Sequence, residues 1–151
     1  LAALADDVVA VLGSRALQSR VQLVRTGEAR ASVDERQLKE ALVNLVGNAI
    51  EASSNGGQVE ISLERNAAGV VVAVKDQGHG MSGEVLAKLG TPFFTTRQRG
   101  NGLGVVVARG IFRQHGGSLE FASEPGKGTT ATGLLPAGDE EVADGTRPAG
   151  G

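Results

Sequence analysis

Residues 34 to 52 constrain this chain more than any other stretch. Asp34 followed by Gln37 has the spacing of a helix-capping box, and Leu38, Leu42, Leu45 and Ala49 then recur at helical spacing. A helix that is apolar on one side is stable in water only when that side is covered. The cover is expected just downstream. Asn55-Gly56-Gly57 stops the helix, and Gln58 to Arg65 alternates Val59, Ile61 and Leu63 against Glu60, Ser62 and Glu64. Asn66 to Gly69 turns, and Val70 to Val74 returns as a more buried strand, so the pair reads as a hairpin. A one-sided helix beside a one-sided hairpin calls for a sheet with helices on one face.

The remaining elements extend that plan. Residues 4 to 19 carry Leu4, Val8, Val11 and Leu12 at helical spacing; Val21 to Val24 reads as a short strand, with Ala29 to Val33 expected to pair with it. After Lys75 come a loop, a short helix from about Ser82 to Leu89, and Gly90 to Gly104, too polar and glycine-rich to pack and therefore expected to be mobile. Leu103 to Gln114 reads as a helix ended by His115-Gly116-Gly117, and Ser118 to Ala122 and Thr129 to Leu135 as two last strands. The expected fold class is α+β, a two-layer α/β sandwich whose mixed sheet is covered by three main helices. It occupies residues 1–136, with 137–151 a disordered C-terminal tail.

Composition narrows the chemistry. With 15 Lys+Arg against 17 Asp+Glu in 151 residues, the net charge of −2 leaves no basic footprint, so no nucleic acid partner is expected. There is no cysteine for a disulfide, a thiolate metal site or a nucleophile, and two separated histidines cannot build a metal cluster. No apolar run is long enough to span a bilayer and Asp6 and Asp7 interrupt the first apolar stretch, so the expected location of this chain is cytoplasmic, with a membrane anchor elsewhere in the full-length protein left open. The available tools are Asn, Asp, backbone amides and 23 glycines.

Four constellations concentrate those tools. At about 100° per residue, Glu40, Asn44, Asn48 and Glu51 fall within roughly 80° on the helix, opposite its apolar side. Asn is a poor interior helix residue and Gly47 costs about 1 kcal/mol relative to Ala, so helix propensity does not explain the stripe. It is either a solvated face or a ligand face, and an Asn oxygen suits Mg²⁺. Asp76-Gln77-Gly78-His79-Gly80-Met81 follows a strand directly, where a carboxylate can accept from an exocyclic amine; a plain turn explains the same residues. Gly100-Asn101-Gly102-Leu103-Gly104 opens a helix and offers amides to an anion, without the Walker A or Rossmann spacing. Gly126-Lys127-Gly128-Thr129-Thr130 alone is a hairpin turn.

In this order, the four resemble the ATP-binding domain of sensor histidine kinases, within the GHKL superfamily shared with gyrase, heat-shock chaperone and mismatch-repair ATPases. Asn44-Leu45-Val46-Gly47-Asn48-Ala49 is similar to the N box, and Asp76 to Gly80 to the first glycine box. Pro92-Phe93-Phe94-Thr95-Thr96 is similar to the phenylalanine box, Gly100 to Gly104 to the second glycine box, and His115-Gly116-Gly117 and Gly126 to Thr129 to the closing segments. The resemblance spans about residues 4 to 136.

It implies binding of Mg-ATP and donation of the γ-phosphate to a histidine on a separate dimerisation and phosphoacceptor domain of the same protein, with a response regulator downstream. By carry-over Asn48 ligates Mg²⁺, Asn44 sits beside the phosphates as the catalytic position, and Asp76 reads the adenine amino group. Gly78, Gly80 and Met81 line the nucleotide, as do Thr95 and Thr96. Gly102, Leu103 and Gly104 touch phosphate from the lid, and Thr129 supports the adenine end through water. Arg97 and Arg99 flank the lid and either neutralise γ-phosphate charge or form a solvated basic loop. Neither His79 nor His115 is expected to be the phosphoacceptor, and the chain is expected to be monomeric and unable to autophosphorylate alone. A GHKL serine kinase of the anti-sigma type and a non-catalytic ATP-sensing module are the alternatives. The sequence departs from the family pattern at Glu51, where many members carry a basic residue or Gln, at Ala131, which replaces the usual aromatic, and at Gly133, expected to loosen the last strand.

Overall fold

The computed structural model describes residues 1–53, 57–78 and 104–136. The helix expected over 82–89, most of the expected mobile stretch, and the tail lie outside them. The elements are α1 (Ala2–Gln18), β1 (Gln22–Gly27), α2 (Glu35–Ala52), β2 (Gln58–Asn66), β3 (Gly69–Asp76), α3 (Gly104–Gln114), β4 (Ser118–Glu124) and β5 (Gly128–Pro136). The sheet order is β1-β2-β3-β5-β4. β1 pairs with β2 in parallel, and the other three ladders are antiparallel.

The parallel pair corrects one expectation. Residues 29–33 form no strand. α2 supplies the crossover that a parallel β1–β2 pair requires, and the segment leading into it packs inward instead. Ala29 is buried in the core with Ala31 and Val33 against it, and the Glu28 carboxylate accepts from the Ala2 amide at 2.8 Å, closing the start of α1.

Strand alternation puts Val59, Ile61 and Leu63 of β2 on the same face as Val70, Val72 and Val74 of β3, Ala131 and Leu135 of β5, and Leu119 of β4. All are buried, with Leu38, Leu42, Val46 and Ile50 of α2, Val8 and Leu12 of α1, and Phe112 of α3 as the other layer. Gly133 does not loosen its strand. A Cβ there would lie 2.4 Å from two carbons of the Phe112 ring, so the glycine is the seat on which that fully buried ring rests. The missing aromatic at Ala131 is compensated from the next strand, because Phe121 stands directly opposite it in register and packs on the core.

Helix ends explain two further residues. Arg20 closes α1 in the left-handed region at φ 57°, with Val21 N donating to Ala16 O at 2.8 Å, a position that glycine fills more cheaply. Asp34 caps α2 by accepting from Gln37 N at 3.1 Å, but its own amide donates to His115 Nε2 at 3.0 Å. His115 Nδ1 lies 2.8 Å from Ile111 O, so the proton sits on Nδ1 and the ring ties the end of α3 to the start of α2.

Candidate functional site

At one end of the helix-facing side of the sheet the apolar rows give way to a polar one. In phase with Val74, Ala131 and Phe121 come Asp76, Thr129 and Ser123. Asp76 is 5% exposed, and its Oδ1 accepts from Gly78 N at 2.9 Å and Thr129 N at 3.1 Å. Two amides from different strand ends thus orient one carboxylate. Gly128 makes the second possible: its φ is +95°, and a Cβ there would lie 2.2 Å from the Asp76 carbonyl oxygen. Thr129 and Ser123 face each other with hydroxyls 2.8 Å apart, and Ser123 Oγ donates to Gly128 O at 3.0 Å.

α2 forms the adjoining wall. The turn after Asp76 passes so close to its C-terminal end that a Cβ on Gly78 would lie 2.2 Å from Ala52 O. Ser53, buried beyond that end, donates its hydroxyl to Ala49 O at 2.8 Å. Asn44 and Asn48 are half-buried on the outward side of the helix. The start of α3 approaches the same stripe, with a Cβ on Gly104 falling 3.3 Å from Asn44 Oδ1. Glu51 pairs with Arg15 of α1 at 3.2 Å, and the guanidinium lies across Gly47, where a Cβ would meet Arg15 Nη1 at 3.0 Å. The acidic residue at that family position is therefore engaged by a cation from another helix.

Of the residues expected to form the site, the fold brings Asp76, Gly78 and Thr129 together at one end of the sheet and Gly104 against Asn44 on α2, the helix that also carries Asn48. Gly80, Met81, Thr95, Thr96, Arg97, Gly102 and Leu103 lie outside the described residues. Sequence reasoning missed Ser123 and Arg15, and it placed His115 at a helix end without its contact to Asp34. Ser123 carried a usable signal, since it continues the Leu119, Phe121 alternation with a hydroxyl where an apolar residue is due; the other two contacts had none.

Residues 33–139 match the family described as histidine kinase-, DNA gyrase B- and HSP90-like ATPase. The chain belongs to that family. Within it the chain is of the sensor histidine kinase type, a catalytic, ATP-binding domain. It is 37% identical over 134 residues to sporulation kinase C of Bacillus subtilis, covering 86% of this chain and 31% of that kinase. It also resembles the catalytic domain of the histidine kinase ThkA in a nucleotide-free form, with TM-score 0.82 and 28% identity over 93% of this chain and 95% of the other. A structure of ThkA in complex with the response regulator protein TrrA matches with TM-score 0.76 and 26% identity, covering 93% of this chain and 41% of that one. The chain thus spans about a third of the curated kinase it matches. Among the described residues no helix is long and apolar enough to cross a membrane, and no three His, Cys, Asp or Glu residues cluster to hold a metal.

The donor set nevertheless fits one kind of ion. Mg²⁺ prefers oxygen ligands, keeps several waters and commonly shares its shell with substrate phosphates, so it needs few protein ligands. A neutral amide oxygen on the α2 stripe, with no metal-holding cluster of acids among the described residues, suits an ion that arrives with a triphosphate.

Proposed function

We propose that this chain binds Mg-ATP and presents the γ-phosphate to a histidine on a dimerisation and phosphoacceptor domain of the same protein. The observation that carries the reading is the buried Asp76 carboxylate, its Oδ1 held by the Gly78 and Thr129 amides. A fixed acceptor in a buried setting selects a base that offers an amine, as adenine does, over guanine, which offers a carbonyl there. Gly78 and Gly80, with Met81, line the base, and Thr129 supports it through water.

Asn44 sits beside the phosphates and Asn48 holds Mg²⁺, which when bound neutralises charge on the phosphate oxygens. Gly102, Leu103 and Gly104 approach phosphate from the lid side, joined by Thr95, Thr96 and Arg97. In the transfer an acceptor imidazole nitrogen attacks the γ-phosphorus, the bond to the β,γ-bridging oxygen breaks, and ADP leaves. The residues assigned here position and neutralise the phosphates, the main protein contribution to such a transfer. The resulting phosphohistidine supplies a response regulator, a partner class supported by the ThkA–TrrA complex. By itself the chain is monomeric, and it works on the cytoplasmic side, where ATP is available.

Calorimetry of Asp76→Ala tests the base assignment: ATP affinity should fall at least tenfold and the ATP-over-GTP preference should shrink, and an unchanged ATP affinity would overturn it. In Asn48→Ala the strengthening of ATP binding by Mg²⁺ should disappear; if it persists, the ion is held elsewhere. Joining the chain to an acceptor domain should yield acid-labile phosphohistidine, whereas acid-stable phosphoserine on a partner would point to a serine kinase.

A further inference from the structure

We infer that Ser123 sets the donor and acceptor polarity of Thr129 and is thereby a specificity-determining positioning residue; the inference rests on the ATP reading of the Asp76 site. A serine hydroxyl has one proton. Ser123 Oγ gives that proton to the Gly128 carbonyl at 3.0 Å. In its 2.8 Å contact with Thr129 Oγ1, Ser123 must then accept, and Thr129 must donate. Thr129 consequently turns its proton toward β4, and its hydroxyl offers only lone pairs to anything beside it.

Thr129 is also the residue whose amide holds Asp76 Oδ1, so the two side chains border the same space. That space is walled by two acceptors, a carboxylate and an inward-locked hydroxyl. Adenine carries an amino group at its six position and suits such a wall directly or through a water that donates to Thr129. Hypoxanthine carries a carbonyl at that position and a proton on the adjacent ring nitrogen, and its oxygen finds no donor there. The register makes the arrangement rigid, because Ser123 and Thr129 are direct cross-strand partners and the row ends at the orienting amides of Asp76.

The test compares ATP with inosine triphosphate, which differs from it only at that edge, by calorimetry on this chain. Ser123→Ala releases the Thr129 hydroxyl, which can then rotate and donate to the inosine carbonyl. The ATP-over-inosine-triphosphate ratio should fall about tenfold, one net hydrogen bond, largely through tighter inosine triphosphate binding. Ser123→Thr keeps an acceptor and should retain the wild-type ratio. Combining Ser123→Ala with Thr129→Val removes the freed hydroxyl and should abolish the gain in inosine triphosphate binding, which mere loosening of the strand would not do. If Ser123→Ala does not fold, Ser123→Cys, whose sulfur accepts weakly, should lower the ratio in the same direction. An unchanged ratio in a folded Ser123→Ala or Ser123→Cys chain overturns the inference while leaving the ATP site intact. A wild-type chain with no preference for ATP overturns the underlying nucleotide reading and this inference with it.

Discussion

Two neighbouring rows on the same face of the sheet carry opposite chemistry. Ile61, Val74, Ala131 and Phe121 form one, and its members share the core with the helices. Val59, Asp76, Thr129 and Ser123 form the next, one pleat along, where α2 ends and the turn at Gly78 closes on Ala52. The strands keep the same alternation through both rows. What changes is the cover: apolar side chains suffice where helices exclude water, while a row bordering the end of the helical layer can hold hydrogen-bonding groups, provided that each has partners. Asp76, Thr129 and Ser123 find partners in one another and in Gly78 and Gly128, so the end of the sheet can be polar with these groups hydrogen-bonded.

The comparison breaks if substitutions in the two regions have the same consequences. Phe112→Ala should have the largest effect, removing a fully buried ring and lowering unfolding free energy by about 3–5 kcal/mol in denaturant titration. The protein that remains folded should keep its nucleotide preference, and a changed ATP-over-GTP ratio would show that the core and the polar row are coupled. Gly128→Ala probes the other row. Its Cβ would collide with the Asp76 carbonyl at 2.2 Å from a backbone at φ +95°, so both nucleotide affinity and stability should fall, the latter by about 1–3 kcal/mol. An Ala variant with wild-type ATP affinity would mean that the Asp76–Thr129 geometry does not need this close approach.

Three smaller effects lie outside both rows and calibrate the contrast, each changing stability but not base selectivity. His115→Phe keeps the ring but leaves the Asp34 amide without its acceptor, costing about 1 kcal/mol by thermal melting. Arg20→Gly should raise stability by about 0.5–1 kcal/mol, since glycine fits the left-handed cap without Cβ crowding. The smallest concerns Glu28, whose carboxyl is held below the ordinary carboxylate value chiefly by the hydrogen bond from the Ala2 amide. A folded-state pKa below the unfolded one contributes stability that is present above the unfolded pKa and lost as pH falls through the folded one. Glu28→Gln should therefore flatten the acid side of the stability profile slightly and leave neutral-pH nucleotide binding alone.

Much of this was legible because it is local. The helix over 35–52, the hairpin over 58–76 and the two closing strands follow from periodicity, caps and turn residues, all of which act within a few positions along the chain. Asn44, Asn48 and Asp76 stood out for a related reason, as polar residues where local pattern alone calls for something else. The same parity argument places Ser123 on the inner face, although only its neighbours give that placement meaning.

The sequence by itself determined most of the described helices and strands, residues 29–33 excepted, and which side of each is apolar, because backbone hydrogen bonding and side-chain period are short-range. Only the tertiary structure decided that β1 pairs with β2 rather than with residues 29–33, that His115 rather than Gln37 receives the Asp34 amide, that Arg15 answers Glu51, and that Gly133 makes room for Phe112. It alone brought the Ser123 and Thr129 hydroxyls within hydrogen-bonding distance across the β4–β5 ladder. Each depends on groups far apart in the chain, and the choice among possible partners rests on packing geometry and the supply of donors and acceptors after collapse, neither of which is written into the spacing of residues along one strand or helix.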